Sequence, residues 1–321
     1  MLRLRPISTV LSLGIVVVTG TAITKPLFAQ RPLEVTLEPI ALTDSEIGGE
    51  AYVPEGVVST QRPIDGSLRA VVHTDDRTPV LSQKYPWSAI GRIDWVASDG
   101  SEVLGSCTGS LIGPNLVLTN AHCLIDPETD QPTTHTITFR PNVIQGEAPA
   151  IAEVVAYDYG ASPYTDNTAE DWALLSLDQP LGNIYGYLGW RTTDFTDSTT
   201  LTEMDGQISV VGYSADFPTP MLSSFGAPGE TAGLSASCSV LVELLEGEFS
   251  GSLIHTCDTN PGASGAPMFA LFEDGEYYIL GLHTGSVSLL ENVTLPTGEE
   301  TDVLNRGIPV SRWAARAAAL R

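Results

Sequence analysis

From about residue 71 onward, short apolar runs alternate with clusters of turn-forming residues. The runs fall at 89–96, 116–119, 151–156, 172–177, 208–212 and 278–282, separated by groups such as Gly113-Pro114-Asn115 and Asp178-Gln179-Pro180. Each run has the length of a strand and is short for an ordinary helix, so the pattern predicts an all-β domain. The exception is terminal: Ser311 can cap an Ala- and Arg-rich run over 312–320, which predicts a C-terminal helix. Residues 30–70 differ, being polar and acidic with weak periodicity and breakers at Gly48-Gly49, Pro54, Pro63 and Gly66. That stretch reads as a pro-segment or linker, leaving 71–321 as the folded domain. Ahead of it, Arg3 and Arg5 precede an apolar run at 10–18 and a small residue, Ala29. The run is shorter than the roughly 20 residues a bilayer span needs, so 1–29 reads as a signal peptide. Thr19 to Thr24 blur its end, and an uncleaved anchor is the alternative.

Charge narrows the partners. The 321-residue chain carries 15 Lys and Arg against 39 Asp and Glu, a formal charge of −24. Such a surface repels phosphate backbones and anionic lipid, which argues against nucleic acid and against a membrane once the signal is removed. The expectation is a secreted or periplasmic monomer. Four cysteines, Cys107, Cys123, Cys238 and Cys257, all lie beyond the signal. In an exported chain they suggest two disulfides, for which three pairings exist. No C-x-x-C pair is present to begin a zinc site, and no D-x-D-x-D-G loop to hold calcium, so neither metal nor cofactor is expected.

Three local motifs carry chemistry. An apolar strand ends in Thr119-Asn120-Ala121-His122-Cys123, placing an imidazole at a strand end. Asp171 precedes the apolar run Trp172-Ala173-Leu174-Leu175, where a carboxylate can be partly buried and orient an imidazole. Gly262-Ala263-Ser264-Gly265 surrounds a serine with glycines, allowing a tight turn that exposes the hydroxyl and aims the Gly262 and Ser264 N–H groups at one oxyanion position. None of these is specific alone. A serine nucleophile needs a base, and the base needs a third group to fix its tautomer. The chain supplies His122, Asp171 and Ser264 in the order His, Asp, Ser, which differs from subtilisin and α/β-hydrolase orders.

These motifs resemble those of the chymotrypsin/trypsin-like serine peptidases, in particular the bacterial glutamyl endopeptidases. Thr119 to Cys123 is similar to the family's T-A-A-H-C block, Asp171 to Leu175 to D-I-A-L-L, and Gly262 to Gly265 to G-x-S-G. The resemblance implies a double six-stranded β-barrel with the triad in the cleft between barrels. It also implies the pairings Cys107–Cys123, bracing the histidine loop, and Cys238–Cys257. Val71-Val72-His73-Thr74-Asp75-Asp76-Arg77 resembles the V-I-G-x-D-D-R start of mature glutamyl endopeptidases, which places a maturation cut near Ala70–Val71. Ala263 is a departure: trypsin-type enzymes carry an aspartate there to pair with the new N-terminus, and that switch is not available to this chain.

Two signals compete for the specificity pocket. Thr259 and His283 match pocket positions of glutamyl endopeptidases and can hydrogen-bond a substrate carboxylate. Asp258, six before the serine, sits where trypsins bind Lys or Arg, and a free carboxylate there would repel an acidic substrate. Cleavage after Glu or Asp is the favoured expectation, with Lys or Arg as the alternative. Thr284 is expected behind Asp171 as a donor, with Gly285 and Ser286 offering backbone to an extended substrate. His73, His135 and His255 read as structural. Two rival readings stay open: an inactive trypsin-like binding module, and a secreted adhesion-type β protein.

Overall fold

Two short strands, β1 (Ile47–Gly49) and β2 (Thr78–Pro79), precede the main body and add to its C-terminal sheet. The strands β3 (Ile90–Val96), β4 (Val103–Leu111), β5 (Leu116–Thr119), β8 (Thr136–Pro141), β9 (Ala152–Tyr159) and β10 (Ala173–Leu177) close a six-stranded barrel in the order β10-β5-β4-β3-β8-β9. Between β5 and β8 lies a small hairpin, β6 (Ile125–Asp126) and β7 (Gln131–Pro132). The computed structural model describes residues 47–58, 75–161, 168–244, 246, 249–295, 298 and 300–321. The expected signal peptide, most of the expected pro-segment, His73 and the expected mature start at Val71 lie outside them.

The barrel follows from alternation. Along β8, Ile137, Phe139 and Pro141 are buried while Thr136, Thr138 and Arg140 are not, the period of a strand with one face inward. Ile93, Val117, Phe139 and Leu175 are fully buried in the interior, each such side chain contributing about 1.5–3 kcal/mol.

After β10, a one-turn helix α1 (Gly182–Tyr185), β11 (Gly189–Arg191) and α2 (Ser198–Glu203) lead into the C-terminal half. There β12 (Ile208–Gly212), β13 (Gly233–Cys238), β14 (Val240–Glu243), β15 (Leu253–His255), β16 (Pro267–Leu271), β17 (Tyr277–Thr294) and β18 (Glu300–Pro309) follow in turn. With β1, β2 and β11 they form a ten-stranded sheet ordered β14-β15-β18-β17-β16-β12-β13-β2, with β11 on β17 and β1 on β11. In place of the second barrel of the expected pair there is thus a branched ten-stranded sheet, while the first is a closed ring. Every residue of β12 and β16 is buried, which is why both are apolar throughout except at Ser209. One apolar cluster joins the halves, running from Ile90, Leu118 and Phe139 to Val211, Phe269 and Ile308.

The terminal helix begins later than its sequence signal. Ser311 is exposed within a 3-10 turn (Val310–Arg312), and α3 spans Ala314–Leu320 with no side-chain cap. Burial of Trp313 against Trp190, ring centroids 5.6 Å apart, sets the start instead of a cap.

Both disulfides implied by the resemblance are present: Cys107–Cys123 ties β4 to the turn after β5, and Cys238–Cys257 ties the end of β13 to the residue beyond Thr256. The first closes a loop of 16 residues. Replacing both its cysteines by serine should cost about 3 kcal/mol, measurable as a lower urea midpoint with unchanged slope.

Candidate active site

Antiparallel pairing of β10 with β5 sets Ala173 opposite Thr119. The residues just before β10 therefore lie beside those just after β5, and Asp171 meets His122. Asp171 is 2% exposed, and a buried carboxylate needs donors. It has three. The His122 backbone N–H donates to Oδ1 at 2.9 Å, His122 Nδ1 lies 2.8 Å from Oδ2, and the Thr284 hydroxyl donates to Oδ2. Asn120 Nδ2 also donates to the Asp171 carbonyl at 2.7 Å. With Nδ1–H directed to Asp171, the tautomer leaves Nε2 as a base. Thr284 reaches this point through an irregularity in β17: His283 pairs with Gly307 and Gly285 with Arg306, so Thr284 is an extra residue between them.

The serine turn is held by backbone. Thr108 N–H donates to the Ser264 carbonyl at 2.8 Å, and its hydroxyl donates to the Gly262 carbonyl at 2.8 Å while accepting from Tyr213 N–H at 2.9 Å. Gly262 and Gly265 have φ of +99° and +82°, values that favour glycine. A Cβ on Gly265 would collide with the Thr108 carbonyl and the Thr119 hydroxyl. The N–H groups of Ala263, Gly265 and Ala266 donate to Asn260, His283 and Ala263 carbonyls. Among the described residues, those of Gly262 and Ser264 donate to no protein acceptor. They flank a half-exposed serine and are open to an acceptor from outside the chain. The Ser264 carbonyl also lies 3.8 Å from Cys123 Sγ, next in sequence to His122. Among the described residues no hydrogen bond joins the Ser264 hydroxyl to His122. In catalytic sites without substrate that contact is commonly long.

Cys107, His122 and Cys123 bring ligand-type atoms within 4.8 Å of one another. Both sulfurs are committed to the disulfide, so this group offers a metal only the imidazole.

Asp258 points away from a pocket role as a free carboxylate. The Asp76 N–H donates to its Oδ2 at 3.3 Å, and its own N–H donates to Ser235 Oγ at 2.9 Å. Burial, together with the facing Asp258, pushes the Asp76 carboxyl up to about 8, and burial pushes Asp258 up to about 6. The pair thus shares a proton at neutral pH. Arg77 next to it is gripped by Asp75 and, in bidentate fashion at 2.8 and 3.0 Å, by Asp216, to which Asn260 also donates. The Asp75-Asp76-Arg77 stretch is therefore fastened to the loop containing Asp258 and half-buried Thr259.

His283 is buried and touches a residue the sequence reading left as structural. His255 Nε2 lies 3.1 Å from His283 Nδ1, and Cys257 N–H donates to His255 Nδ1 at 3.3 Å. The last bond makes Nδ1 of His255 an acceptor, so its proton is on Nε2 and points to His283, whose proton is then on Nε2. Burial lowers the His255 pKa to about 3, and burial with the facing His255 holds His283 well below its ordinary value. Both are neutral, and His283 is a donor without charge. His255 sits one strand from His283 across the β15-β18-β17 ladder, a neighbour that no local motif marks.

A family model described as a trypsin-like peptidase domain matches residues 107–278. The chain is 30% identical over 215 residues to a glutamyl endopeptidase of Bacillus licheniformis, covering 63% of this chain and 55% of that protein. It therefore spans about half the length of that relative. It is 26% identical over 248 residues to an extracellular metalloprotease of Bacillus subtilis, covering 76% and 70% of the two chains. In fold it is similar to a Glu endopeptidase solved with MPD, at a TM-score of 0.55 and 23% identity over 77% of this chain and 96% of that one. The protease Anisep of Arthrobacter nicotinovorans gives 0.50 and 19% over 73% and 97%.

Thr108→Val removes a buried hydroxyl that serves two backbone groups. It should destabilise the fold by roughly 2–4 kcal/mol, read by urea unfolding. The acid pair gives a pH test. Both carboxyls have folded pKa values above the ordinary 3.8, so the folded state holds the extra proton. Their contribution is complete below about pH 4 and is lost as pH rises through about 6 to 8. Asp76→Asn should flatten this fall, seen as a smaller drop in Tm between pH 5 and pH 8.5 than in the wild type.

Proposed function

The chain belongs to the trypsin-like peptidase family, and from that premise we propose that it is an exported serine endopeptidase with His122, Asp171 and Ser264 as its triad. In this reading His122 Nε2 takes the proton of Ser264, whose oxygen attacks the peptide carbonyl. Asp171 keeps the imidazole oriented and stabilises the imidazolium. The N–H groups of Gly262 and Ser264 hold the oxyanion, His122 then protonates the leaving amine, and water releases the acyl group. The observation that carries it is the buried His122–Asp171 pair set beside a turn with two uncommitted N–H groups.

We further propose a preference for Glu or Asp before the cut. In this reading His283 Nε2–H supplies one donor for the substrate carboxylate and the Thr259 hydroxyl a second. Engagement of Asp258 by the Asp76 N–H, in a pair that holds one proton, weakens the carboxylate that a Lys- or Arg-selective pocket requires. The Bacillus licheniformis relative is a glutamyl endopeptidase, which points the same way. Gly285 and Ser286 receive the substrate as an added strand. Export through the 1–29 signal agrees with the two disulfides and with the extracellular relative. Maturation near Ala70–Val71 cannot use an ion pair to residue 263, which is alanine.

A fluorophosphonate probe should label the matured wild type at Ser264, with no labelling of Ser264→Ala. Asp171→Asn should lower kcat by roughly 10⁴-fold. On a peptide library, cuts should follow Glu and Asp, and His283→Ala should raise KM for Glu substrates at least about 10-fold. Exclusive cutting after Lys or Arg would overturn the pocket assignment, and absence of labelling would overturn the enzyme assignment in favour of a binding module.

A further inference from the structure

We propose that residues 47–58 are a permanent strand segment of the folded domain, and that a cut anywhere between residues 59 and 74 leaves them bound without a covalent link. This goes beyond the peptidase reading, taking from it only the idea that maturation severs the chain in that interval.

Backbone comes first. Strand β1 pairs antiparallel with β11, Ile47 opposite Arg191 and Gly49 opposite Trp190. Tyr52 and Tyr187 exchange two backbone hydrogen bonds of 3.0 Å, and Tyr85 N–H donates to the Val58 carbonyl at 3.2 Å. The other edge of β11 is taken by β17. Without β1, β11 would present an open edge, and unpaired edges of this kind invite aggregation.

Side chains close the same joint. Gly49 lies so near Trp190 that a Cβ there would sit 2.6 Å from the indole ring. That indole is fully buried and packs on Trp313. Tyr52 stacks on Tyr187 with centroids 5.1 Å apart. Pro54 is buried, and Ala51, Val53 and Val57 pack against the main core. Arg321, from the C-terminus, lies over Tyr187 and Trp190 and donates to the Glu50 carbonyl. These contacts are distributed along twelve residues rather than concentrated at one, which favours slow release.

Neither disulfide includes this segment, so retention after a cut would be purely non-covalent. Its partners Tyr85, Tyr187, Trp190 and Arg321 are not triad residues, so retention leaves the site open. Activation by maturation would then arise at the new end near Asp75 to Arg77, not from loss of residues 47–58.

The test uses the full chain carrying Ser264→Ala, with residues 62–68 replaced by the recognition sequence of a site-specific protease. After complete cutting, gel filtration at micromolar concentration should show both fragments in one peak, separating only in denaturant, with Tm within about 2 °C of the uncut protein. Elution of the N-terminal fragment alone, with the Tm of the remainder unchanged, would overturn the proposal. As a second arm, Gly49→Val should leave the uncut protein folded, with a lower Tm, and should release the fragment once cut. Should that variant not fold, Tyr52→Ala replaces it with the same expectation, and co-elution as tight as in the parent would count against the joint described. Because the nucleophile is absent and the readout is physical, the outcome does not depend on the peptidase assignment.

Discussion

The carboxylate of Asp171 is a charge taken out of water, and a charge so placed is tolerable only when hydrogen bonds surround it. Two of its donors belong to His122, at the end of a barrel strand, and the third is Thr284, on the C-terminal sheet. Satisfying this one group therefore requires both halves of the fold to meet at a defined distance. The bulge that turns Thr284 inward and the β5–β10 register that brings Asp171 to His122 are two solutions to the same demand. A second seam reinforces it, where Thr108 of the barrel grips the serine turn through both backbone and hydroxyl.

Beyond that charged centre, burial limits how much charge the neighbouring groups carry. Two imidazoles are kept uncharged by burial, and two carboxyls share a proton. A buried neutral N–H donor such as that of His283 is satisfied only by a group that accepts. The chain between Asp75 and Arg77 is part of that arrangement, because the Asp76 N–H binds the Asp258 carboxylate.

Much of this was legible beforehand, for physical reasons that differ by element. Strands β5 and β12 match their apolar runs to the residue, because each is buried along its whole length. Strand β17 was read only as far as Leu282. Its continuation alternates half-buried Gly285, Val287 and Leu289 with exposed Ser286 and Ser288, a pattern that backbone pairing with β18 supports more than burial does. Ser311 was a false cap, overridden by the burial of Trp313. Motifs and their order marked His122, Asp171 and Ser264; His122 does meet Asp171, and Ser264 sits on the turn gripped by Thr108. His255 and Asp76 were not found as pocket neighbours, because each acts across strands or loops far apart in sequence, and nothing local to them signals the partner. Residues 47–58 looked like linker for a related reason: their glycines read as breakers, whereas one of them is what lets the chain lie flat on an indole.

The contact of Arg321 with the Glu50 carbonyl has a topological meaning. It places Arg321 against the residues just after β1, so these two ends of the described body are neighbours. A domain with adjacent ends behaves almost as a closed loop. Its ends could be fused by a short linker and new ones opened on a surface turn, or the whole unit inserted into a host protein, with the catalytic cleft left where it is. Extensions added beyond residue 321 would emerge beside β1, not at the site.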